Sequence, residues 1–435
     1  MEHRTPLMSV RAYGQIREEL RRYTKKLTHG YTKVPTRFIS EMIRGMVRSG
    51  RCLLSSISRE IHGDCQHVHS DEKRLSYELS NEQWSTERMR KNHSALIGQT
   101  YVNAETVIAL DLSDVNKNEA HVYEHLTRVH DGSTGEIVDG YWAIIIEAIK
   151  RKGEHLPLLM KVFSDKVKDY RSQFEEIRHA VESVVEDFGK QGLWVMDRGF
   201  DSVGNFLYFN TLEVCFLIRG YHERIVEEQE GVPQKLLGLI QQKTLRGVDA
   251  FYKHYVVGHQ GRRRRWQKRE IMIRYDSFPI FLVHGTDEEE SQRARLPLWV
   301  IVVEGMGRAA ERSFFFTNIP ITTLHECHHI IKKYSQRWSC EEAIRFVKQA
   351  FSLEDIRVQR YTAIQRMMEF CMVCYTFVCL FIERCSTKHK TVYAWLHDLI
   401  IQRQRRPRFA HYRILEAIQK VLNLGFFDQL LIHAP

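Results

Sequence analysis

The feature that most constrains the fold is a series of apolar, β-branched stretches of strand length between residues 106 and 219, separated by helical patterns and by turn-rich text such as HDGSTG. A mixed α/β sheet with reactive groups at strand ends is predicted by the order of these elements, which is three strands, a helix, a strand, a helix and a strand. The strand stretches are TVIALDL (106 to 112), YWAIIIEAI (141 to 149), LPLLMKVF (156 to 163), LWVMD (193 to 197) and VCFLIR (214 to 219), and the helices are expected at 166 to 190 and 203 to 209.

The rest of the chain has a different character. Residues 1 to 100 show amphipathic helical segments at 11 to 27, 37 to 47 and 72 to 89, and the chain is helical again from residue 353. Residues 220 to 320 carry strand patterns at 250 to 257, 269 to 275, 298 to 304 and 313 to 317 and are interpreted as a β-rich insertion. The predicted segments are a helical N-terminal region (1–100), the first part of an α/β core (101–219), the insertion (220–320), the closing helix of the core (321–360) and a helical C-terminal region (361–435).

The charge of the chain indicates a polyanionic partner. The formal net charge is +10, and residues 1 to 100 hold 18 Lys and Arg against 11 Asp and Glu. Because binding of phosphates by Lys and Arg releases condensed counterions, nucleic acid is the first expectation, with the N-terminal region as its main contact.

No membrane or secretory segment is expected. The N-terminus MEHRTPLMSV lacks the apolar core of a signal peptide, so the chain is expected in the cytoplasm with reduced cysteines. The most apolar stretch, FCMVCYTFVCLFI at residues 370 to 382, is shorter than the about 20 residues that span a bilayer, and it is interpreted as a buried helix with a membrane anchor as the alternative.

Two aspartates lie where an unpaired carboxylate would be costly to bury. Asp111 interrupts the first predicted strand and Asp197 ends the fourth. Each could simply open a turn or cap a helix. In sheets of the ribonuclease H type the first and fourth strands are neighbours, so the pair together favours a shared site.

A third carboxylate comes from the stretch YSQRWSCEEAIRFVK. Read as one helix at about 100° per residue, it places Tyr334, Arg337, Glu341 and Lys348 on a stripe about 60° wide, beside an apolar face. Glu342 points about 100° away from Glu341, so the wheel selects Glu341 as the candidate metal ligand. The alternative is an ordinary solvated face on which Glu341 pairs with Arg337 or Arg345.

These three motifs resemble the DDE transposases of bacterial insertion sequences. The resemblance rests on Asp111 in IALDLSD, Asp197 in VMDRGFD and the array Tyr-x2-Arg-x3-Glu-x6-Lys formed by Tyr334, Arg337, Glu341 and Lys348, in that order. It spans roughly residues 106 to 360 and implies a ribonuclease H-like core with a β-rich insertion.

The resemblance also implies a mechanism. Asp111, Asp197 and Glu341 would bind two Mg²⁺ ions, with Mn²⁺ as a substitute, for in-line attack of water or a 3′-OH on a phosphodiester. Tyr334, Arg337 and Lys348 would contact phosphates of the element's end strand. The partners implied are the element ends and target double-stranded DNA in the bacterial nucleoid, bound by two protomers.

Further contacts are left open by the sequence. Arg198 either screens phosphate charge or pairs with Asp201, and the run GRRRRWQKR, with Arg263, Arg264 and Trp266, either grips DNA or is only a solvated loop. Similar enzymes often pass through a DNA hairpin in which a flipped base stacks on an aromatic ring, and Trp266, Trp299 and the run at residues 314 to 316 are candidates.

Three other interpretations stay open. A zinc site is conceivable at Cys65, His67 and His69 or at residues 325 to 329, although neither shows a paired ligand spacing. A catalytically silent transposase remnant that only binds DNA would lack metal-dependent cleavage, and a host nuclease with the same core would cut DNA without joining it.

Overall fold

The computed structural model describes residues 5–62, 66–117, 122–132, 134–151, 154–228, 231–257, 265–284, 294–305, 312–401 and 410–432. The chain divides into two compact units. Unit 1 consists of Met1–Asn103, Ala109–Gly189 and Trp338–Pro435, and unit 2 consists of Ala104–Ile108 and Lys190–Arg337.

The sheet of unit 1 is built from four strands. They are β1 (Val107–Asn116), β2 (Thr127–His130), β3 (Ile137–Arg151) and β4 (Glu154–Phe163). Strands β1, β3 and β4 coincide with predicted apolar stretches, while β2 was not predicted. The order is β2-β3-β1, and β4 pairs antiparallel with the later part of β3. Helix α6 (Gln173–Phe188) follows β4, and the Ser172 hydroxyl caps it by accepting the N–H of Glu175.

Unit 2 contains the remaining described strands. Strands β5 (Leu193–Met196) and β6 (Cys215–Gly220) run parallel, joined by α7 (Val203–Thr211). The antiparallel strands then follow beside β6 in the order β12, β11, β10, β7 and β8, while β9 pairs with β10. Their bounds are β7 (Ile225–Glu227), β8 (Gln234–Lys235), β9 (Gly247–Val257), β10 (Arg265–His284), β11 (Ala294–Glu304) and β12 (Arg312–Thr317), with α8 (Leu236–Gln241) between β8 and β9.

Strand β1 begins in unit 2 and continues into unit 1. At its start the Leu193 N–H donates to the Thr106 carbonyl at 2.9 Å, which sets the beginning of β1 beside β5. Within unit 1 the order is β4, β3 and β1, and within unit 2 the start of β1 lies beside β5, which pairs with β6, so the first and fourth core strands are neighbours. The predicted class, an α/β ribonuclease H-like mixed sheet with a β-rich insertion and flanking helices, is confirmed.

One glycine is required where β6 meets β12. A Cβ at Gly220 would lie 2.1 Å from the ring of Phe316, so any larger residue would force the two strands apart. The close approach seats Phe316 in the core, where it packs against Phe206 of α7.

The N-terminal helices differ from the predicted pattern in one place. They are α1 (Thr5–Leu27), α2 (Lys33–Ser49), α3 (Leu54–His62), α4 (Val68–Ser80) and α5 (Thr86–Ile97). The single helix expected at 72 to 89 is wrong, because the chain turns between α4 and α5. Trp84 donates its indole N–H to the Glu78 carbonyl at 2.8 Å, and the Ser85 hydroxyl caps α5.

The C-terminal apolar stretch is a core helix. Helix α11 (Tyr361–Lys388) has the length and composition to cross a membrane, but 67% of its most apolar stretch is buried inside the protein. It packs on β4, α2 and α4, and its core includes Phe370, Cys371 and Cys374. Helices α12 (Lys390–Ile401) and α13 (Ala410–Ile432) complete the unit. The buried-helix interpretation therefore fits the structure.

A buried histidine between α5 and α11 predicts acid sensitivity. His93 is fully buried with Nε2 2.7 Å from the Thr376 hydroxyl, and burial lowers the pKa of His93 from 6.5 to about 3. Below pH 6.5 the unfolded chain binds a proton that the folded chain excludes, so this contribution to stability is lost as pH falls towards 3.

When the pH is lowered from 7 to 5, we expect the unfolding free energy of the unmodified protein to fall further than that of His93→Gln, by about 2 kcal/mol. Urea unfolding at both pH values measures this difference, and the other buried histidines cancel because both proteins contain them. Equal losses in the two proteins would contradict the assignment.

Candidate active site

Strand β1 carries two aspartates with different surroundings. Asp111 is half-buried, and its Oδ1 accepts the N–H of Leu112 at 3.0 Å. Asp114 is 4% exposed, and its Oδ2 lies 3.0 Å from the Nζ of Lys348. Sequence reasoning singled out Asp111 and missed the part that Asp114 plays in holding Lys348.

Asp197 directly follows β5 and caps a 3-10 turn, Arg198–Phe200. Its Oδ1 accepts the N–H of Gly199 at 2.8 Å. The capping interpretation of this aspartate is therefore correct as local structure. It fixes one oxygen of the carboxylate and does not by itself exclude a further role.

Asp197 belongs to a cluster within unit 2 that we call the phenol cluster: Asp197, Arg219, Tyr334 and Arg337. Tyr334 is 5% exposed, and its ring centroid lies 4.4 Å from that of Phe315. Burial raises the pKa of Tyr334, the positive charges of Arg337 and Arg219 lower it, and the negative charge of Asp197 raises it. The structure thus brings two residues of the predicted array, Tyr334 and Arg337, together with the second aspartate.

Arg219 was not identified from the sequence, although a signal was present. Strands β5 and β6 are parallel with Met196 opposite Ile218, so the next pair in this register is Asp197 and Arg219. The sequence pairs VMD with LIR at the ends of two consecutive buried strands. A basic residue at the end of β6, in register with the acid at the end of β5, is the signal that could have identified Arg219.

The structure decides the alternatives for Arg198. Its guanidinium stands 5.1 Å from the centroid of the Tyr221 ring. Asp201 instead accepts the N–H of Tyr221 at 2.6 Å and pairs with the Nε of Arg224 at 2.8 Å. The expectation of an Arg198–Asp201 pair is therefore wrong, and phosphate screening by Arg198 stays a prediction.

The stretch from Tyr334 to Lys348 is not a single helix. Helix α9 (Leu324–Tyr334) ends at the first residue of the array, a 3-10 turn follows at Ser335–Arg337, and α10 (Trp338–Ala350) carries the rest. Because a 3-10 turn rotates about 120° per residue, the single-helix wheel does not hold across Arg337. Tyr334 and Arg337 lie in unit 2, and Glu341 and Lys348 lie in unit 1.

Within α10 the contacts are consistent with the selection of Glu341 over Glu342 by the helical wheel. Glu342 pairs with Arg345 at 2.7 Å on the solvent side, which leaves Arg345 engaged with Glu342 and not with Glu341. Glu341 lies in the first turn of α10 and is half-buried. Lys348 lies between Asp114 at 3.0 Å and Glu354 at 3.1 Å.

The proposed stacking aromatics differ in accessibility. Phe314, Phe315 and Phe316 are at most 4% exposed and form part of the core of unit 2, so this run is corrected from a stacking candidate to a packing element. Trp299 is half-buried in β11. Arg263 and Arg264 lie outside the described residues, and of Trp266 only the backbone pairing with Val256 is described.

The zinc alternatives gain no support. Across the ranges given above, no three His, Cys, Asp or Glu side chains are grouped closely enough to hold a metal ion, and this includes the predicted set of Asp111, Asp197 and Glu341. His328 lies 2.9 Å from Asp249, and His329 lies 3.5 Å from Glu105. Cys65 lies outside the described residues, and His67 and His69 are exposed.

Comparison with known proteins gives a family match. The family described as Transposase DDE domain matches residues 148–377, which is 230 of the 435 residues. The match includes Asp197, Glu341 and the whole array, while Asp111 lies before its start. No curated protein sequence matches the chain.

Among solved structures, the chain is similar to a cryo-EM structure of a piggyBac transposase synaptic complex with hairpin DNA. The identity is 8%, the alignment covers 99% of this chain and 82% of the other, and the TM-score is 0.42. A likeness of this level supports no inference, so the assignment depends on the family match. Since that match covers more than half of the sequence, the chain belongs to the Transposase DDE domain family and is a DNA transposase.

Proposed function

We propose that this chain is a cut-and-paste transposase of the insertion-sequence branch with the Tyr-x2-Arg-x3-Glu-x6-Lys array. It binds the terminal inverted repeats of its element, cleaves DNA at the ends and joins the freed 3′-OH to target DNA. The observation that carries the proposal is the phenol cluster, in which the Tyr334 phenol of the array is hydrogen-bonded to Arg337 of the array and lies within the electrostatic influence of Asp197. A phenol and two guanidiniums beside an acid suit phosphate contacts next to a reacting phosphodiester.

The carboxylates Asp111, Asp197 and Glu341 are the proposed ligands of divalent metal ions. Carboxylate oxygens are the donors that Mg²⁺ and Mn²⁺ prefer, and Asp111 and Asp197 each have one oxygen oriented by a neighbouring backbone N–H. When bound, the ions supply stabilisation of the charge that develops at phosphorus. Arg219, Tyr334 and Arg337 are the proposed contacts of the phosphate strand for in-line attack. Arg219 is half-buried, whereas Tyr334 and Arg337 are 5% and 8% exposed, so bound DNA would have to uncover these two side chains.

Contacts inside unit 1 place α10, which carries Glu341, beside the later part of β1. Ser113 and Asp114 border a cavity of about 10 Å³ with Ile344 and Val347 of α10, and Asp114 also pairs with Lys348. Since Ser113 and Asp114 point to opposite faces of the strand, these contacts assign α10 to neither face.

The direction of α10 along β1 supports the pairing of Glu341 with Asp111. Lys117, just after β1, donates to the carbonyls of Glu354 and Ile356, which follow α10. The C-terminal end of α10 therefore lies near the C-terminal end of β1. The first turn of α10, which carries Glu341, lies in the direction of Asp111, earlier in β1.

The test is cleavage of a supercoiled plasmid that carries the reading frame with its own flanking DNA. We expect Mg²⁺-dependent cuts at two inverted repeats and products joined to a second plasmid, and EDTA should abolish both. Binding without any cutting would favour the DNA-binding remnant, and cutting without joining would favour the nuclease. Either outcome would overturn the proposal.

Arg219 gives a separate prediction for the same reaction. We expect Arg219→Gln to reduce the rate of end cleavage by about 10²-fold, because one charged donor to the reacting phosphate is lost. Single-turnover cleavage at saturating DNA measures it, with Lys190→Gln as the control, since Lys190 is exposed and pairs with Glu213. A rate within twofold of the unmodified protein would remove Arg219 from the site.

A further inference from the structure

Unit 1 contains a cleft of about 600 Å³ that none of Asp111, Asp197, Glu341 and the array residues lines. Its walls are the start of α3, one face of α4 and the segment at residues 357 to 360 that leads into α11. We call it the basic cleft, after the cations on its walls: Lys73 of α4, and Arg357 and Arg360 of the segment.

The cations of the basic cleft are not engaged in the ion pairs found among the described residues. Within the part of the chain that the structure describes, Lys73, Arg357 and Arg360 make no ion pair and are exposed, and Glu72 is the acid that borders the cleft. The adjacent Arg74, by contrast, pairs with Glu41 at 2.8 Å and Asp71 at 2.9 Å. Unpaired cations on a concave wall raise the local positive potential and attract a polyanion.

The segment that presents the two arginines is held in place. The Glu124 N–H donates to the Gln359 carbonyl at 3.0 Å, and the Glu124 side chain accepts the N–H of Tyr361 at 2.9 Å. Arg360 has an extended backbone, with φ −70 and ψ 133. Residues three apart on an extended segment are about 10 Å apart, which corresponds to about three nucleotides of one DNA strand.

The hydroxyls of Ser55 and Ser76 border the same cleft. They add donors of the kind that contact phosphate oxygens without reading bases. Fixed cations, hydroxyls and a spacing of a few nucleotides together suit a sugar-phosphate backbone better than an apolar or acidic ligand.

We propose that the basic cleft binds the phosphate backbone of DNA, independently of its sequence. The inference deepens the proposed transposase function and rests on it. The cleft would add affinity and hold the register of the strand, with Lys73, Arg357 and Arg360 as its phosphate contacts.

The test is the salt dependence of DNA binding by the full chain. Binding to a random-sequence duplex of about 30 base pairs is measured by fluorescence anisotropy from low to high salt. The proteins compared are the unmodified protein and the triple variant Lys73→Gln/Arg357→Gln/Arg360→Gln. Losing three phosphate contacts should reduce the slope of log affinity against log salt by about 2.7. The control is Lys190→Gln/Lys388→Gln/Lys390→Gln, which removes three exposed cations elsewhere and should leave the slope nearly unchanged.

Each outcome has a defined meaning. An unchanged slope in the triple variant, with thermal unfolding unchanged, overturns the proposal. The triple variant could lose binding of inorganic phosphate while its DNA slope stays the same. That result would assign the cleft to a small phosphate compound and would also overturn the proposal. If the single variants Arg357→Gln and Arg360→Gln each reduce the slope by about 0.9, the proposal holds even where the triple variant is poorly folded.

The assay separates this inference from the proposed function. DNA binding of any sequence needs no cutting, so an unmodified protein that never cleaves its plasmid overturns the transposase proposal whatever the slopes are. A protein that cleaves and joins DNA but shows an unchanged slope in the triple variant overturns the basic cleft alone.

Discussion

Asp197→Asn is expected to reduce DNA cleavage by at least about 10³-fold while leaving DNA binding and folding intact. Asparagine keeps the shape of aspartate, and its side-chain oxygen can still accept the Gly199 N–H that forms the turn after β5. What it removes is the negative charge that would hold a divalent ion. Single-turnover nicking of end-containing DNA in Mg²⁺ measures the loss, and gel shift measures binding.

Asp111→Asn and Glu341→Gln are expected to lose activity to a similar extent, and combining them with Asp197→Asn should add little, because ligands of one site act as a unit. The matched control is Glu342→Gln, one residue from Glu341, whose side chain pairs with Arg345 on the solvent side. Glu342→Gln should cut at a rate near that of the unmodified protein. If Glu342→Gln abolished cleavage and Glu341→Gln did not, the selection of Glu341 would be wrong.

The second large effect concerns the ion pair between Lys348 and Asp114. Asp114 is 4% exposed, so Lys348→Met leaves a carboxylate without its main counter-charge and is expected to cost about 3 kcal/mol of unfolding free energy. Asp114→Asn should also destabilise the fold. The double variant should be more stable than the sum of the two losses predicts, because each single change leaves the partner charge uncompensated.

The same variants distinguish two roles for Lys348. If Lys348 positions α10 against β1, Asp114→Asn should slow cleavage as much as Lys348→Met, with binding of DNA unchanged in both. If Lys348 serves mainly as a phosphate contact, Lys348→Met weakens DNA binding and Asp114→Asn does not. Urea unfolding and end-DNA titration of the four proteins in the cycle give both answers.

Much of the core could be predicted because its strands are buried on both faces. Runs such as VIAL before Asp111 and LWVM before Asp197 have few polar interruptions, and their order along the chain limits the topology. Four strands of the insertion, β9 to β12, were also located, although β10 extends to 20 residues where seven were expected, and the short strands β7 and β8 were missed. The length of an antiparallel strand depends on how far its neighbouring strands extend beside it. The local hydrophobic pattern of the sequence does not show this pairing.

The errors came from a local turn and from contacts between distant parts of the chain. The array from Tyr334 to Lys348 has a helical period throughout, and period alone does not show the 3-10 turn at Ser335–Arg337. Lys348 had the spacing of a DNA contact, but its ion pair with Asp114 joins residues 234 positions apart. The site could therefore be predicted by residue type and order, while the partners of its charged groups could not.

The central claim, that Asp197 helps to hold a divalent metal ion for DNA cleavage, is tested most directly by Asp197→Cys assayed in Mg²⁺ and in Mn²⁺. A thiolate binds Mg²⁺ poorly and accepts the softer Mn²⁺ more readily. The account predicts that the variant is inactive in Mg²⁺ and regains cleavage at the same DNA positions in Mn²⁺, while the unmodified protein cuts in both. A variant that cuts in Mg²⁺ at the rate of the unmodified protein would contradict it.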